Sequence, residues 1–298
     1  MVEPGVSVII PTLNGAETLP ALLAAIDRAR LRIPLEIIAI DSGSSDQTVP
    51  LLQRAGATVL DLDGARFGHA SARNRAASHG KAAVLLFVTQ DVEPVGDGWL
   101  ETLLQTVKRS EVAGAFGRQV PRGASPEEAF MVGANYPEQS RTLTRDTLRS
   151  AFGPGATLFS NAFGVIKRAV WERYPFPEIV MSEDQAWGRR VLSEGLEIEY
   201  VGDAAVYHGH QLSLGRAFRR NFDSGSSLQQ LKLTGGVWGS GLRHLSQELA
   251  WIAGRYGVGA AAHAVVYESV RMLGFQLGRM EGLMPRDLAR RLGEAPRK

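Results

Sequence analysis

The sequence predicts an α/β protein with a mainly parallel sheet that is covered by helices. Runs of branched aliphatic residues, typical of buried strands, alternate with segments of helical periodicity in the first third of the chain. The strand-like runs are VSVII (6–10), LEIIAID (35–41), ATVLDL (57–62) and AAVLLFVT (82–89). Strands that alternate with helices form parallel sheets, and open sheets of this kind bind ligands beyond the carboxyl ends of their strands.

The segments between these runs carry helix signals. Asn14 to Glu17 is predicted to start the first helix, with Glu17 completing a capping-box-like pair. The apolar face of that helix is formed by residues at helical spacing, namely Leu19, Leu22, Leu23 and Ile26. Ser44 or Ser45 is predicted to cap a second helix that ends at Gly56, and a third helix is expected around residues 70–79.

Composition excludes several classes of protein. The 298 residues are 44% hydrophobic and 21% charged, which is typical of a globular protein of one large or two small domains. The net charge of +2 is too small to indicate a nucleic-acid partner. There is no cysteine, so disulfides and thiolate metal sites are excluded. We find no signal-peptide pattern, and the apolar stretch at 256–267 is too short to span a bilayer, so we expect a cytoplasmic protein.

Three common α/β motifs are absent from the sequence. It contains no G-x-x-x-x-G-K-[ST] phosphate loop, no G-x-G-x-x-G after the first strand and no G-x-S-x-G nucleophile elbow. P-loop, dinucleotide-binding and α/β-hydrolase sites are therefore not expected.

Two carboxylates follow predicted central strands directly. Asp41 ends the second strand, and Asp91 follows the fourth within TQDVEP (89–94). Each could simply start a turn or cap a helix, as Asp often does. Two at the same edge of a parallel sheet favour a ligand site. Glu93 is assigned to the turn before Pro94.

The segment MSEDQAWGRRVLSEG (181–195) predicts a helix with acidic residues in its first turn. Ser182 is expected to cap this helix and Gly195 to end it. Glu183 and Asp184 could do no more than stabilise the helix macrodipole. The same dipole favours an ionised Asp184, which is what a general base requires.

Further downstream, VYHGHQLSL (206–214) places two histidines on an extended segment. His208 and His210 are two residues apart and are predicted to point to the same side, which suits a divalent metal. Exposed or core-satisfied histidines are the alternative. Arg219 and Arg220 follow in a basic segment that forms either a solvated helix face or a clamp for a diphosphate.

Six motifs in order resemble family 2 glycosyltransferases of GT-A fold, and their wording is closest to bacterial rhamnosyltransferases. They are VSVIIPTLNGAETL, IIAIDSGSSDQT, FGHASARNRA, VLLFVTQDVEP, MSEDQAWGRRVLSEG and VYHGHQLSL, and together they cover about residues 5 to 225. The segment YESVRMLGFQLGRMEGLMP also resembles the C-terminal helices of that subgroup. The resemblance implies a Rossmann-like domain over residues 1–225 and a helical region over 226–298.

The resemblance also implies site residues, position by position. Nucleotide contacts are implied for Pro11, Thr12, Leu13, Asp41, Arg73, Thr89 and Gln90. Asp91, the last residue of the family's D-x-D, would bind Mg²⁺ or Mn²⁺ with His208, or with His210 as the alternative ligand. Thr89 departs from the pattern, because it stands where the first aspartate is usual. Glu183 and Asp184 match the catalytic acidic pair, in which Asp184 is the base.

The resemblance implies an inverting transferase that moves rhamnose from dTDP-rhamnose to a hydroxyl of a polysaccharide or lipid-linked glycan, with inversion of the anomeric centre. Arg219, Arg220 and Trp187 are predicted to contact the diphosphate or the acceptor. The alternatives are a UDP-hexose or GDP-mannose donor, or a non-catalytic nucleotide-sugar-binding protein.

The C-terminal region leaves two interpretations open. Residues 271–298 include seven basic and three acidic residues, interleaved with apolar ones. This pattern fits an amphipathic surface that contacts an anionic membrane at the inner face of the cell. It equally fits a helical hairpin packed on the catalytic domain or across a homodimer. We expect residues 121–150 to form a polar loop that can close over the donor.

Overall fold

The computed structural model describes residues 5–62, 68–149, 157–209, 211–231 and 238–295. Its strands are β1 (Val6–Thr12), β2 (Leu35–Asp41), β3 (Thr58–Asp61), β4 (Val84–Val88), β5 (Glu93–Pro94), β6 (Val112–Val120), β7 (Arg141–Leu143), β8 (Phe163–Lys167) and β9 (Glu197–Tyr207). Its helices are α1 (Leu19–Arg30), α2 (Thr48–Arg54), α3 (His69–His79), α4 (Trp99–Thr106), α5 (Pro126–Asn135), α6 (Arg168–Arg173), α7 (Glu183–Ser193), α8 (Leu214–Gln230), α9 (Trp238–Tyr256), α10 (Val258–Arg279) and α11 (Arg286–Leu292).

The strands form one mixed, mainly parallel sheet, as predicted. The strand order is β3-β2-β1-β4-β8-β6-β9-β5, and β7 pairs with β9 beside this path. Strands β1 to β4 are parallel, β8 is antiparallel to both β4 and β6, and β9 is parallel to β6. Because β4 and β6 each oppose β8, the carboxyl ends of β1, β2, β4, β6 and β9 lie along the same edge.

Hydrophobic clusters cover both faces of the sheet. Alternation along β1 sends Val8 and Ile10 to the face covered by α1, α2 and α4, whereas Ile9 faces α3, α6 and α7. The first cluster includes Leu22, which the apolar spacing of α1 predicted. Burying strand residues on both faces is typical of parallel sheets and explains the near-continuous aliphatic runs in the sequence.

The first two helices start later than predicted. Asn14 to Glu17 lie outside α1, which begins at Leu19, and the Thr18 side chain does not cap it. The backbone N–H groups that a helix start would use are taken by the β2–α2 loop. Asn14 N–H donates to Ser44 Oγ (2.8 Å) and Gly15 N–H donates to Thr48 Oγ1 (2.7 Å).

Ser44 and Ser45 do not cap α2 either, because both serve this loop-to-loop contact. Ser45 N–H donates to Asn14 Oδ1 (2.9 Å), and α2 starts at Thr48 instead. The two loops beyond β1 and β2 are therefore bonded to each other, which a reading of each helix start in isolation does not reveal.

The prediction of a polar loop over residues 121–150 is wrong. Helix α5 occupies 126–135, and its cap is Ser125, whose Oγ accepts from Glu128 N–H. Strand β7 pairs antiparallel with β9, with Arg141 opposite Tyr200. The S-P-E-E sequence at 125–128 is an N-terminal helix signal. The short β7 carries no periodicity of its own and depends on β9 for its hydrogen bonds.

The C-terminal region is helical, as predicted, and packs on the rest of the chain. Helices α8 and α10 approach closely at three glycines. A side chain on Gly225 would collide with the Phe275 carbonyl oxygen, and one on Gly278 would collide with that of Phe222. Residue 225, the predicted end of the first domain, lies inside α8. In the described part of the chain, no helix is long and apolar enough to cross a membrane.

A buried carboxyl group lies where α5, α9 and α10 meet. Glu248 of α9 is 2% exposed, and its Oε1 has no hydrogen-bond partner in the described structure. Burial, together with Glu268, raises its pKa to about 8, against the opposing effect of Arg271, and Glu127 of α5 adds to the increase. Glu248 therefore carries its proton at neutral pH.

Replacing Glu248 by Gln should change how stability depends on pH. The unfolded chain loses this proton near 4.5 and the folded chain near 8, so wild-type stability falls between these values. Glu248→Gln should match wild type below pH 4.5 and be more stable above pH 8. The gain is about 1.4 kcal/mol per unit of pKa displacement. Urea unfolding across this range, with the exposed Glu172→Gln as control, checks the result; parallel wild-type and variant curves would contradict it.

Candidate active site

One part of the candidate site lies beyond β1 and β2, where nucleotide contacts were predicted. Thr12 and Asp41 are paired in the strand register, and Thr12 Oγ1 donates to Asp41 Oδ1 (2.9 Å). Asp41 also accepts from Gly43 N–H (3.0 Å), from Ser44 N–H (2.7 Å) and from Ser44 Oγ (2.6 Å). This carboxylate is 6% exposed and organises the loop beyond β2. Neighbouring Leu13, by contrast, is half exposed.

Residues 89 to 91 serve three different purposes. The Thr89 hydroxyl is buried and has no hydrogen-bond partner in the described structure. An ionised aspartate at this position would be a buried charge, so a neutral residue suits its surroundings. The Gln90 amide donates to Leu13 O (3.0 Å) and accepts from Leu13 N–H (2.9 Å), which ties the β4 end to the β1 loop. Asp91 is the residue of the three with a carboxylate at the site.

Asp91 and His208 are brought together by the pairing of β5 with β9. Glu93 lies opposite Tyr207 in that pairing, so the residues just before β5 meet those just after β9. The distance from Asp91 Oδ1 to His208 Nε2 is 3.6 Å. His210 lies outside the described residues, so the choice between the two histidines stays a prediction.

Gln119, at the end of β6, orients His208. Gln119 Nε2 donates to Ser160 Oγ (2.9 Å), which leaves its Oε1 to accept from His208 Nδ1 (2.8 Å). We assign the proton of His208 to Nδ1 from this network. Nε2 then carries its lone pair toward Asp91, and this is the arrangement that metal-binding histidines use.

Asp184 lies at the first turn of α7 and faces the loop before β8. Its Oδ2 accepts from Asn161 N–H (3.2 Å), and its Oδ1 accepts from Gln185 N–H (2.8 Å). Burial raises the pKa of Asp184 to about 6, and the neighbouring Glu183 charge adds to the increase. The two N–H bonds and Arg73 oppose it. Asp184 is therefore mostly ionised at neutral pH and can accept a proton.

Glu183, in contrast, is held in a buried ion pair. Its Oε1 accepts from Arg73 Nη1 (3.1 Å) and from Asn161 Nδ2 (3.1 Å). The side chains of Arg73 and Glu183 are only 7% and 6% exposed. Arg73 was expected beside the nucleobase, and here its guanidinium binds the acidic pair. Glu183 therefore anchors α7 to α3.

Hydrogen bonds, together with the peptide bond between Ser160 and Asn161, connect His208 to Asp184. His208 bonds to Gln119, Gln119 bonds to Ser160, and the next residue, Asn161, donates to Asp184. The sequence analysis missed Gln119, Ser160 and Asn161, because none belongs to a charged motif. The polar residues of FSNAF (159–163), among strand-like aromatics, were the available signal.

Three other predicted residues lie elsewhere. Trp187 is 1% exposed, and its indole N–H donates to Tyr174 O (3.0 Å), so it is a core residue and offers no surface to a ligand. Arg219 and Arg220 are exposed on α8, and Arg220 lies near the buried His69 at the start of α3. Ser182 precedes α7 as predicted, but its side chain makes no capping hydrogen bond.

A cavity of about 350 Å³ adjoins Asp91 and His208. Its other walls include Thr18 at the start of α1, together with Arg122 and Tyr207. The Arg122 guanidinium lies 4.3 Å from the centre of the Tyr207 ring and is paired with Glu93. A polar space of this size next to a carboxylate and an imidazole can hold a cation and part of an anionic ligand.

A family model described as glycosyl transferase family 2 matches residues 7–174. The chain belongs to glycosyltransferase family 2. This glycosyltransferase is 28% identical over 283 residues to the O-antigen chain rhamnosyltransferase RfbN of Salmonella typhimurium, across 92% of this chain and 89% of the relative. It is 26% identical over 284 residues to the O-antigen chain rhamnosyltransferase WbaN of Salmonella anatum, across 93% and 90%.

Solved structures confirm the GT-A fold of this glycosyltransferase. Residues 1–349 of S. aureus TarS, in complex with UDP-GlcNAc, superpose with a TM-score of 0.58 at 17% identity, covering 84% of this chain and 73% of that chain. The mannosyltransferase PcManGT of Pyrobaculum calidifontis, in complex with GDP-Man and Mn²⁺, gives 0.56 at 16% identity, covering 93% and 85%. Identities this low establish the fold alone.

Removing Glu183 should destabilise the enzyme strongly. Glu183→Ala leaves the Arg73 guanidinium buried without its carboxylate, which costs about 3–5 kcal/mol. The matched control is Glu194→Ala on the same helix, whose exposed pair with Arg190 is worth about 0.5 kcal/mol or less. Denaturant unfolding measures both variants. Equal losses would mean that Arg73 finds another acceptor.

Proposed function

We propose that this glycosyltransferase moves rhamnose from dTDP-rhamnose onto a hydroxyl of a polysaccharide or lipid-linked glycan, with inversion at the anomeric carbon. The observation that carries the proposal is the chain of contacts from His208, beside Asp91, through Gln119 and Ser160 to the next residue, Asn161, which donates to Asp184. A carboxylate that can accept a proton and two groups that suit a divalent cation are thereby linked through neighbouring residues. Displacement at a sugar carbon with an anionic leaving group requires both.

Two relatives support rhamnose as the sugar. Both are named O-antigen chain rhamnosyltransferases, and their similarity extends over nine-tenths of this chain, including the C-terminal helices. The comparison with these rhamnosyltransferases therefore applies to most of the chain, and not only to the part that the family model matches. The dTDP part of the donor rests on the resemblance of FGHASARN and TQD to bacterial rhamnosyltransferases.

Asp184 would remove the proton of the acceptor hydroxyl as that oxygen attacks the anomeric carbon. A pKa of about 6 suits this role, because the carboxylate is ionised at neutral pH and is more basic than an ordinary aspartate. Its two N–H bonds hold the carboxylate in place on a helix start. No covalent nucleophile is needed for an inverting displacement.

Asp91 and His208 would hold Mg²⁺ or Mn²⁺. A carboxylate oxygen and an imidazole nitrogen 3.6 Å apart, with the imidazole oriented by Gln119, fit such an ion. In the described part of the chain, no third His, Asp or Glu joins them as a ligand. Oxygens of the donor diphosphate would also bind the cation. When bound, the cation would neutralise charge that develops on the leaving diphosphate.

A UDP-hexose or GDP-mannose donor would undergo the same reaction and is the alternative to dTDP-rhamnose. The structural neighbours include complexes with UDP-GlcNAc and GDP-Man, so the fold accommodates several nucleotides. In this chain, Thr12 and Asp41, which are predicted to contact the nucleotide, bond to each other, and this pair does not select one donor sugar over another. Thr89 is consistent with a catalytic protein, because the proposal requires one carboxylate after β4 and Asp91 supplies it.

Asp184→Asn should abolish transfer while leaving donor binding intact. The amide cannot accept the hydroxyl proton, so we expect kcat to fall by a factor of about 10²–10⁴. In wild type, kcat should rise with pH through about 6, where Asp184 loses its proton. Product formation from dTDP-rhamnose and a glycan acceptor, with anomeric configuration read by NMR, measures both. Undiminished turnover in a folded Asp184→Asn protein would exclude this base.

Metal binding should depend on Gln119. Gln119→Met removes the acceptor of His208 Nδ1, so the apparent affinity for Mn²⁺ should fall about 10- to 100-fold. Calorimetric titrations of dTDP, UDP and GDP, each with Mn²⁺ and with chelator, measure this and rank the nucleotides. The exposed Gln105→Met serves as control.

Metal-dependent preference for dTDP supports the proposed donor; tighter binding of UDP or GDP contradicts it.

A further inference from the structure

The backbone that leads into Asp184 has an unusual conformation. Ser182, immediately before α7, has φ 64° and ψ 34°, the left-handed region that favours glycine. Its own hydroxyl does not cap the helix, so the side chain does not hold this conformation. Ser182 O accepts from Ala186 N–H (3.1 Å), which fixes the helix side only. The side that precedes Ser182 must be held by another element.

That element is α8. Met181 N–H donates to Ser227 Oγ (2.8 Å), and Ser227 is 1% exposed. The Ser227 hydroxyl donates its own proton to Asp223 O (3.0 Å), so its lone pair is directed at Met181. The hydroxyl thus acts as a fixed acceptor. It restrains the chain one residue before a backbone conformation that L-residues rarely adopt.

Helix α8 is itself held firmly by the C-terminal helices. Three glycines bring its backbone against α10, as described above. The Asp223 carboxylate, fully buried, accepts from the backbone N–H groups of Glu294 (2.9 Å) and Ala295 (2.8 Å) beyond α11. Ser226 also bonds to Glu281. The C-terminal segment thus fixes α8, and α8 fixes the start of α7.

From this geometry we propose that Ser227 is a positioning residue for Asp184. It acts through the Met181 N–H, which keeps the left-handed Ser182 in place and so directs the Asp184 carboxylate toward the site. The inference rests on the proposed function, because it requires Asp184 to be the base. It also gives the C-terminal helices a role in catalysis.

The test compares Ser227→Ala with Ser224→Ala. Both variants delete one hydroxyl from α8, but Ser224 donates to Arg220 O and to Met181 Sδ and makes no contact with the Met181 N–H. Ser227→Ala should lower kcat about 10- to 100-fold, because a small displacement of a catalytic group is costly. Calorimetry should give the same dTDP affinity for both variants and wild type. Ser224→Ala should keep the wild-type kcat.

Two readouts separate positioning from a structural role. If Asp184 moves toward water, the rise of kcat with pH should occur below its wild-type position near 6, because burial is what raises this pKa. In the Asp184→Asn background, Ser227→Ala should change the residual rate by less than about twofold. A structural defect would reduce the rate equally in both backgrounds and overturn the proposal.

The outcomes also separate this inference from the proposed function. If Asp184→Asn is inactive but Ser227→Ala has wild-type kcat and pH profile, the positioning role alone is wrong. If Asp184→Asn is fully active, both are wrong. Circular dichroism establishes that each variant is folded. Should Ser227→Ala fail to fold, Ser227→Cys replaces it, since the thiol fills a similar volume with a weak acceptor, and the same outcomes apply.

Discussion

The side-chain amide of Gln119 is the contact on which the geometry of the site depends. Its oxygen accepts from His208 and its nitrogen donates to Ser160, next to the residue that bonds Asp184. An amide can satisfy both neighbours because it has a donor and an acceptor at fixed positions. A carboxylate here would lack the donor, and an apolar residue would lack both. Gln119 is 6% exposed, so water cannot readily substitute for either bond.

Strand direction explains why these groups meet. Strand β8 is antiparallel to both of its neighbours, and Phe163 at its start lies opposite Val88 at the end of β4. The loop that precedes β8 therefore reaches the same edge as the carboxyl ends of the parallel strands. Asn161 in that loop can then bond Asp184, while Asp91 follows β4 a few residues away. A fully parallel sheet would place this loop at the opposite edge.

Adjacent carboxylates have different roles because their surroundings differ. Glu183 shares a buried guanidinium and an amide, so its charge is compensated. Asp184 is buried, which raises its pKa although two backbone N–H groups donate to it. Surroundings of this kind, and not residue type, let one site hold a structural carboxylate beside one that suits the proposed base. The C-terminal helices extend the same support through Ser227 and Asp223.

The sequence by itself determined strands β1 to β4, helices α1 to α3 and α7, and the sheet edge at which we expect a ligand, because hydrophobic periodicity records which side of each element is buried. It also singled out Asp41, Asp91, Asp184 and His208 through their places at element ends. Only the tertiary structure decided the pairing of β5 with β9, the short β7, and the bonds of Gln119, Asn161 and Ser227. The bonds of Gln119 to His208, of Asn161 to Asp184 and of Ser227 to Met181 join residues 23 to 89 positions apart, and a single uncharged polar residue gives no local sign of a distant partner.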